Sequence, residues 1–523
     1  MVQALSPRGT ALLLALTAAL LAFRLGAVPL LGPDEPRYVR VAIEMQRAGE
    51  WVRPTLQGEV WLEKPPLYYW LAGAAFRILG ENETAARLPS VLAGLALVGV
   101  TALVGTRLFG RAAGLHAGFV LAAAFLPVAY ARSASMDALL AATVTTAIGL
   151  LALCALGIAG RLAVPVAYAF MGLATLAKGP LGLLLPGLVA GGYLLLTRDT
   201  RFLRALLSPL GFLLLLLVAG PWHAAILRDQ GWQFVDVFLL NHNVDRFLST
   251  IHNHPGPPYY YVPVILLGLF PWSGLILPAL GGLQARRSRT DLFLLGWFLL
   301  PFVFFSMAGS KLPGYILPCL PPLALLMGRA AARLTAGEGV GEWWGGPRAV
   351  SLVGVVLGAL LVGTPAFLRL RFGEPDWALA VPFGLWCVIV ALGFSWRVGA
   401  DPVGALRLLR IGGAGAILLL TLAAPPVLAR YQSGRRLFIP AMGRPVLAWG
   451  AWRTAWMAGY FYNDGKVREV DGLPEIQEAL ERGPTLVLVG PDERRQLEDT
   501  PTLAVHPLAA GPEDNALLRL ERR

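Results

Sequence analysis

Long apolar runs broken by short polar loops organise this chain from its N-terminus to about Ala429. A helix needs about 20 apolar residues to cross a bilayer, and runs of that order recur. They predict spans near residues 11–31, 88–106, 113–131, 138–159, 162–177, 181–197, 205–222, 259–281, 291–309, 313–332, 349–367, 378–396 and 409–429. The expected fold is an all-α polytopic membrane domain of about thirteen crossings. The first run reads as a retained helix, because it lacks a small-residue cleavage site and further spans follow.

Two stretches depart from this pattern. In the long loop 32–87, apolar Val39, Ala42, Ile43 and Met45 alternate with Arg40, Glu44 and Arg47. That spacing predicts an amphipathic helix over 37–47. Pro65-Pro66 opens a second helix carrying Tyr68, Tyr69, Trp70 and Phe76. Such helices are expected at the membrane interface. After Ala429 the chain turns to ordinary soluble-type sequence. VREV, TLVLVG and ALLRL predict strands, and PEIQEALERG and PDERRQLE predict helices. The expected division is a transmembrane domain, 1–429, and a small α/β domain, 430–523, with no Gly-rich phosphate loop.

Composition supports the membrane reading: 56% of residues are hydrophobic and only 15% charged. The mean hydropathy is +0.61. The net charge of +12 does not point to nucleic acid, because the basic residues fall in short loops between spans. Arg107/Arg111, Arg161, Arg198/Arg201/Arg204, Arg286/Arg287/Arg289, Arg348 and Arg397/Arg407/Arg410 share one side, which the positive-inside rule makes cytoplasmic. Arg369 and Arg371 are exceptions. The loop 32–87 and residues 430–523 then face outward. Cys154, Cys319 and Cys387 lie in apolar runs and read as core thiols, with no disulfide or zinc framework.

Charges at the membrane edge mark the candidate chemistry, since charge beside hydrocarbon is costly. Asp34, Glu35, Glu63, Lys64, Asp137, Lys178, Arg246 and Lys311 all fall on the outer side of the thirteen-span arrangement, although none was used to draw it. Asp34-Glu35 offers a general base and a metal ligand; the plainer reading is a helix cap with Pro36 at the first helical position. Lys64 offers a point charge for phosphate, against an internal pair with Glu63, which adjacent residues form poorly. Asp137 is a second candidate carboxylate, explained equally by capping the fourth span. Lys178 and Lys311 suit an anionic head group or simply snorkel. The stretch 242–254 holds His242, Asp245, Arg246, His252 and His254. Its histidine spacing makes a poor metal set, whereas the planar fork of Arg246 suits phosphate.

Taken together, DEPRY (34–38), GEWVRP (49–54), EKPPLYYW (63–70), ARLPS (86–90), Asp137, AKGPLG (177–182), NVDRF (243–247), GPPYYYVPV (256–264) and SKLPGYILP (310–318) resemble a known family. The chain is similar to GT-C type glycosyltransferases that use polyprenyl-phosphate sugars, in the branch of aminoarabinose transferases and protein O-mannosyltransferase-like enzymes. The resemblance covers about residues 30–330, and the last spans and C-terminal domain match in layout only. It implies a polyprenyl-phosphate sugar donor and an outer-face cavity between the two domains. Asp34 would activate the acceptor, with Asp137 as a further catalytic carboxylate. Lys64 and Arg246 would hold the lipid phosphate, with Lys178 and Lys311 nearby and Glu35 and Glu63 in support. The acceptor would be lipid A, another envelope lipid or a protein. No cofactor is assigned, and a divalent metal stays open. The expected setting is a monomer in the bacterial inner membrane, among membrane lipids, with its site toward the periplasm. The alternative is a transporter or flippase of lipid-linked sugars. The sequence shows no internal repeat, and its charges gather on one side instead of at the midplane.

Overall fold

The computed structural model describes residues 7–245, 256–283, 288–337 and 377–523, with positions 355, 356, 359 and 363 between them. Among the described residues, seven helices are long and apolar enough to cross a membrane, or up to nine if two bent pairs each count as one. The bent pairs are α5 (Arg111–Ala122) with α6 (Phe125–Ala131), and Tyr261–Gly268 with the segment ending at Gly281. Pro271 lies in the second break, where it cannot continue a helix. The expected span 349–367 falls almost wholly outside the described residues. Every other expected span overlaps a helix, but the figure of thirteen is not established. Helices α8 (Ala163–Lys178) and α9 (Leu181–Thr197) are apolar but short, with 16 and 17 residues. At 1.5 Å per residue they reach only about 25 Å. The turn between them uses Gly179 at φ +77°, where a Cβ would stand 2.6 Å from the Phe238 ring.

Small residues let the central helices approach closely. A Cβ at Gly114 of α5 would meet Thr106 and the Ala102 carbonyl of α4 (Glu83–Phe109). One at Gly328, in the helix Leu320–Thr335, would lie 2.5 Å from the Ala113 carbonyl. Helix–helix packing without a hydrophobic driving force relies on such contacts.

The long first loop is a compact unit. Helix α2 spans Asp34–Ala48 and stops at Gly49, φ +67°. A two-residue hairpin follows, β1 (Thr55–Leu56) against β2 (Glu59–Val60). Its turn residues Gln57 and Gly58 both have positive φ, as a type I′ turn requires. The Glu44 carboxylate accepts from Thr55 Oγ1 and the amides of Gln57 and Gly58. Helix α3 runs Leu67–Leu79 behind Pro66. The amphipathic α2 differs from a helix lying open on a surface, because protein covers both its faces. Val39, Ala42, Ile43 and Met45 enter the main core with Tyr68, Tyr69 and Phe76. On the polar side, Arg40 and Arg47 reach Asp464 at 2.9 and 2.8 Å.

Asp464 belongs to the C-terminal segment, a five-stranded mixed sheet in the order β4-β3-β5-β7-β6. The strands are β3 (Val446–Trp449), β4 (Val467–Glu469), β5 (Thr485–Val489), β6 (Leu503–Ala510) and β7 (Ala516–Arg522). On one face Val487 and Val489 pack under Ile476, Leu480 and Leu497 of the helices Leu473–Glu481 and Pro491–Glu498. On the other, Leu486 and Leu488 join the main core. Burial on both faces explains why β5 reads as an unbroken apolar run.

Candidate active site

The N-terminus of α2 sets the site. Pro33 occupies the cap position and Asp34 the first helical turn, with no side-chain cap bond. The expected capping role of Asp34 is therefore not the one observed. Its carboxylate instead takes Arg37 Nη2 at 2.5 Å, one turn along, and remains 53% exposed. Glu35, about 100° further round the helix, is buried. It accepts from the amides of Leu31 (2.7 Å) and Ala134 (2.6 Å) and from Arg87 Nη2 (2.8 Å). Arg87 also donates to the carbonyls of Leu25, Val28 and Pro29. Glu35 thus ties the backbone together while its neighbour faces outward.

Glu63 and Lys64 do face one another: Lys64 Nζ lies 3.0 Å from Glu63 Oε1 and 3.3 Å from the Glu63 carbonyl. The expectation that neighbours cannot meet holds for regular strands and helices. These residues sit in a bend before Pro65-Pro66, where side chains can converge. Glu63 also approaches Arg37 Nη1 at 3.4 Å. The Arg37 guanidinium lies 5.2 Å from the Trp61 ring and 5.3 Å from that of Tyr38. Burial opposes its charge, but Glu63, Tyr38 and Asp34 outweigh that and hold it more firmly protonated than usual. Burial, with Asp34 and Glu63 nearby, pushes the Tyr38 phenol well up. Arg37 was missing from the candidates because a buried arginine and a solvated one look alike in an amphipathic pattern. Its i, i+3 spacing from Asp34 was the available signal.

A second cluster lies on the bundle's helix ends. Met136 caps α7 (Asp137–Ala155), and Asp137 makes no cap bond; its carboxylate pairs with Lys178 at the end of α8. The Lys178 ammonium also stands 4.9 Å from the Tyr315 ring centroid. Lys311 donates to the Ala308 carbonyl at 2.6 Å. It lines an open groove of about 500 Å³ with Gly256, Phe302, Val303, Ser306 and Met307.

Contacts join these pieces at one end of the bundle. The Ala134 amide on Glu35 brings the 133–137 loop to α2. Leu62 packs with Leu176 and Phe238, setting the 62–66 bend beside the end of α8. Tyr261 donates to the Leu312 carbonyl at 3.3 Å. Arg246, His252, His254 and the His242 side chain lie outside the described residues; Asp245 ends the helical stretch Val235–Asp245. Among the described residues, no group of three or more His, Cys, Asp or Glu could hold a metal.

Comparison with known proteins gives the family and the fold. A family profile described as dolichyl-phosphate-mannose-protein mannosyltransferase matches residues 63–224. Over 374 residues, 70% of this chain, it is 35% identical to the undecaprenyl phosphate-alpha-4-amino-4-deoxy-L-arabinose arabinosyl transferase of Pseudomonas aeruginosa strain UCBPP-PA14. The chain spans 65% of that relative's length. It is 32% identical to the enzyme of the same name from Edwardsiella ictaluri, covering 70% of each. The crystal structure of ArnT from Cupriavidus metallidurans bound to undecaprenyl phosphate superposes with a TM-score of 0.82, at 23% identity and 98% coverage of both chains. This is a multi-pass membrane protein of the ArnT fold, and it belongs to the undecaprenyl phosphate-alpha-4-amino-4-deoxy-L-arabinose arabinosyl transferase family.

Proposed function

We propose that the protein moves a sugar, 4-amino-4-deoxy-L-arabinose by its family, from undecaprenyl phosphate to an envelope lipid such as lipid A. The observation that carries this reading is the gathering of the acidic and basic motif segments at one end of the apolar bundle. That is where a lipid phosphate would meet fixed charge. The protein sits in the bacterial inner membrane as a monomer, with residues 1–429 as the membrane domain. Residues 430–523 and the site face the periplasm.

Chemically, an acceptor oxygen attacks the anomeric carbon as its bond to the phosphate oxygen breaks. The lipid phosphate leaves with the electron pair, and the anomeric centre inverts. Lys64 and Arg246, with Lys178 and Lys311, stabilise the charge that develops on the leaving phosphate, an effect strongest where water is sparse. Asp34, the exposed carboxylate, orients or deprotonates the acceptor. Asp137 acts beside it, and Glu35 and Glu63 support the array. An acceptor that is itself a phosphate needs little base.

The test supplies purified protein in nanodiscs with radiolabelled undecaprenyl phosphate-aminoarabinose and, separately, lipid A, other envelope lipids and a protein extract. Label should move to lipid A. Label that stays on undecaprenyl phosphate throughout would refute the enzyme. Label that crosses a sealed vesicle still on its carrier would establish the transporter instead.

A further inference from the structure

We propose that Arg37 is a positioning residue for the transfer reaction, acting through Asp34, whose carboxylate it holds in place. The proposal rests on the reading of Asp34 as the group that serves the acceptor.

The two partners are unequal. Asp34 is 53% exposed and Arg37 only 8%. An exposed i, i+3 pair stabilises little and orders little, because both side chains must be immobilised. Here the guanidinium is already immobile on folding. Its Nη1 meets Glu63, and its central carbon stands 5.2 Å from the Trp61 ring centroid and 5.3 Å from that of Tyr38. Its Nη2 is left to hold Asp34. A planar fork can serve two carboxylates from fixed directions, which a lysine ammonium cannot. Glu63 is itself buried and held by Lys64 as well, so the chain of contacts ends in the core and not in solvent. Misplacing a reacting group by about 1 Å can cost about a hundredfold in rate, so a rigid mount for Asp34 matters to turnover.

The experiment is a double-mutant cycle on turnover in nanodiscs, with radiolabelled undecaprenyl phosphate-aminoarabinose and lipid A. Arg37→Lys should lower kcat by about 10- to 100-fold with the donor KM within about twofold of wild type. In an Asp34→Asn background the same change should add no further loss, because it acts through Asp34. Trp61→Leu loosens the guanidinium without removing it; its smaller loss, about three- to tenfold, should also vanish in that background. A normal kcat in both single variants, or a loss that multiplies in the Asp34→Asn background, overturns the positioning role while leaving Asp34 intact. Wild-type turnover in Asp34→Asn itself overturns the reading of Asp34, and the role of Arg37 with it.

Discussion

Arg47 and Asp464 lie 417 residues apart in the chain and meet at 2.8 Å. The contact, repeated by Arg40 on the same carboxylate, fastens the helix that carries Asp34 to the C-terminal sheet. Gln57 Nε2 adds a bond to the Gly465 carbonyl at 2.7 Å.

This docking should weaken in acid. Burial tends to raise the Asp464 pKa, but the hydrogen bonds from Arg47 and Arg40 outweigh it and hold the carboxyl below its usual range. A depressed folded-state pKa gives stability that is present above the unfolded value, about 3.9, and is lost as pH falls through the folded one. Asp464 is half exposed, so Asp464→Ala should cost only about 0.5–1 kcal/mol at neutral pH. Thermal unfolding against pH should show the wild-type and Asp464→Ala curves converging below about pH 4. Parallel curves to pH 3 would count against the ion pair.

The Asp137–Lys178 pair should behave as a buried partnership. Lys178→Met strands a largely buried carboxylate and should destabilise by about 3–5 kcal/mol. Asp137→Asn combined with Lys178→Met should recover much of that, visible as a higher unfolding temperature than the single variant. Equal temperatures would mean the two groups do not depend on each other.

Orientation can be read by labelling. Cysteines at exposed Glu59 and Asp492 should react with an impermeant maleimide in intact cells. One at exposed Arg161, beyond the far end of α7, should react only after lysis. Of the native thiols Cys319 and Cys387 are buried, and the half-buried Cys154 is replaced by alanine in every labelling variant. Reversal at any one site would break the proposed topology.

Close helix contact gives a fourth expectation. Gly328→Ala places a methyl 2.5 Å from the Ala113 carbonyl and 2.7 Å from the Ala117 amide. Overpacking of this kind costs about 1–3 kcal/mol, so the unfolding temperature should drop by about 1–3 °C in a chain of this length. An unchanged temperature would show that the bundle relaxes freely there.

The helices were legible because apolar length is a strong, local signal, and the amphipathic pattern found α2 within a few residues. What stayed hidden was non-local. Nothing near Arg47 announces Asp464. Arg37 and Arg87 have the composition of a solvated face, yet both are buried and bound to carboxylates. Adjacency misled at Glu63-Lys64 because the bend, not the spacing, decides where those side chains point. Strand β3 is only four residues long, and β6 carries Pro507 at a break in register, so neither has a clean alternating run.

The short stretch between the first helix and α2 has almost no free backbone. The carbonyls of Leu25, Val28 and Pro29 go to Arg87, and the amides of Leu30, Leu31 and Gly32 go to Tyr462, Glu35 and the Gln432 carbonyl. Most surface connections tolerate an added residue. Here one insertion would shift the donors and acceptors that follow it past these fixed partners, and the start of α2 with them. Side chains such as Val28 can change without touching those bonds, so what this stretch encodes is a length, a ruler set between the first crossing and Asp34.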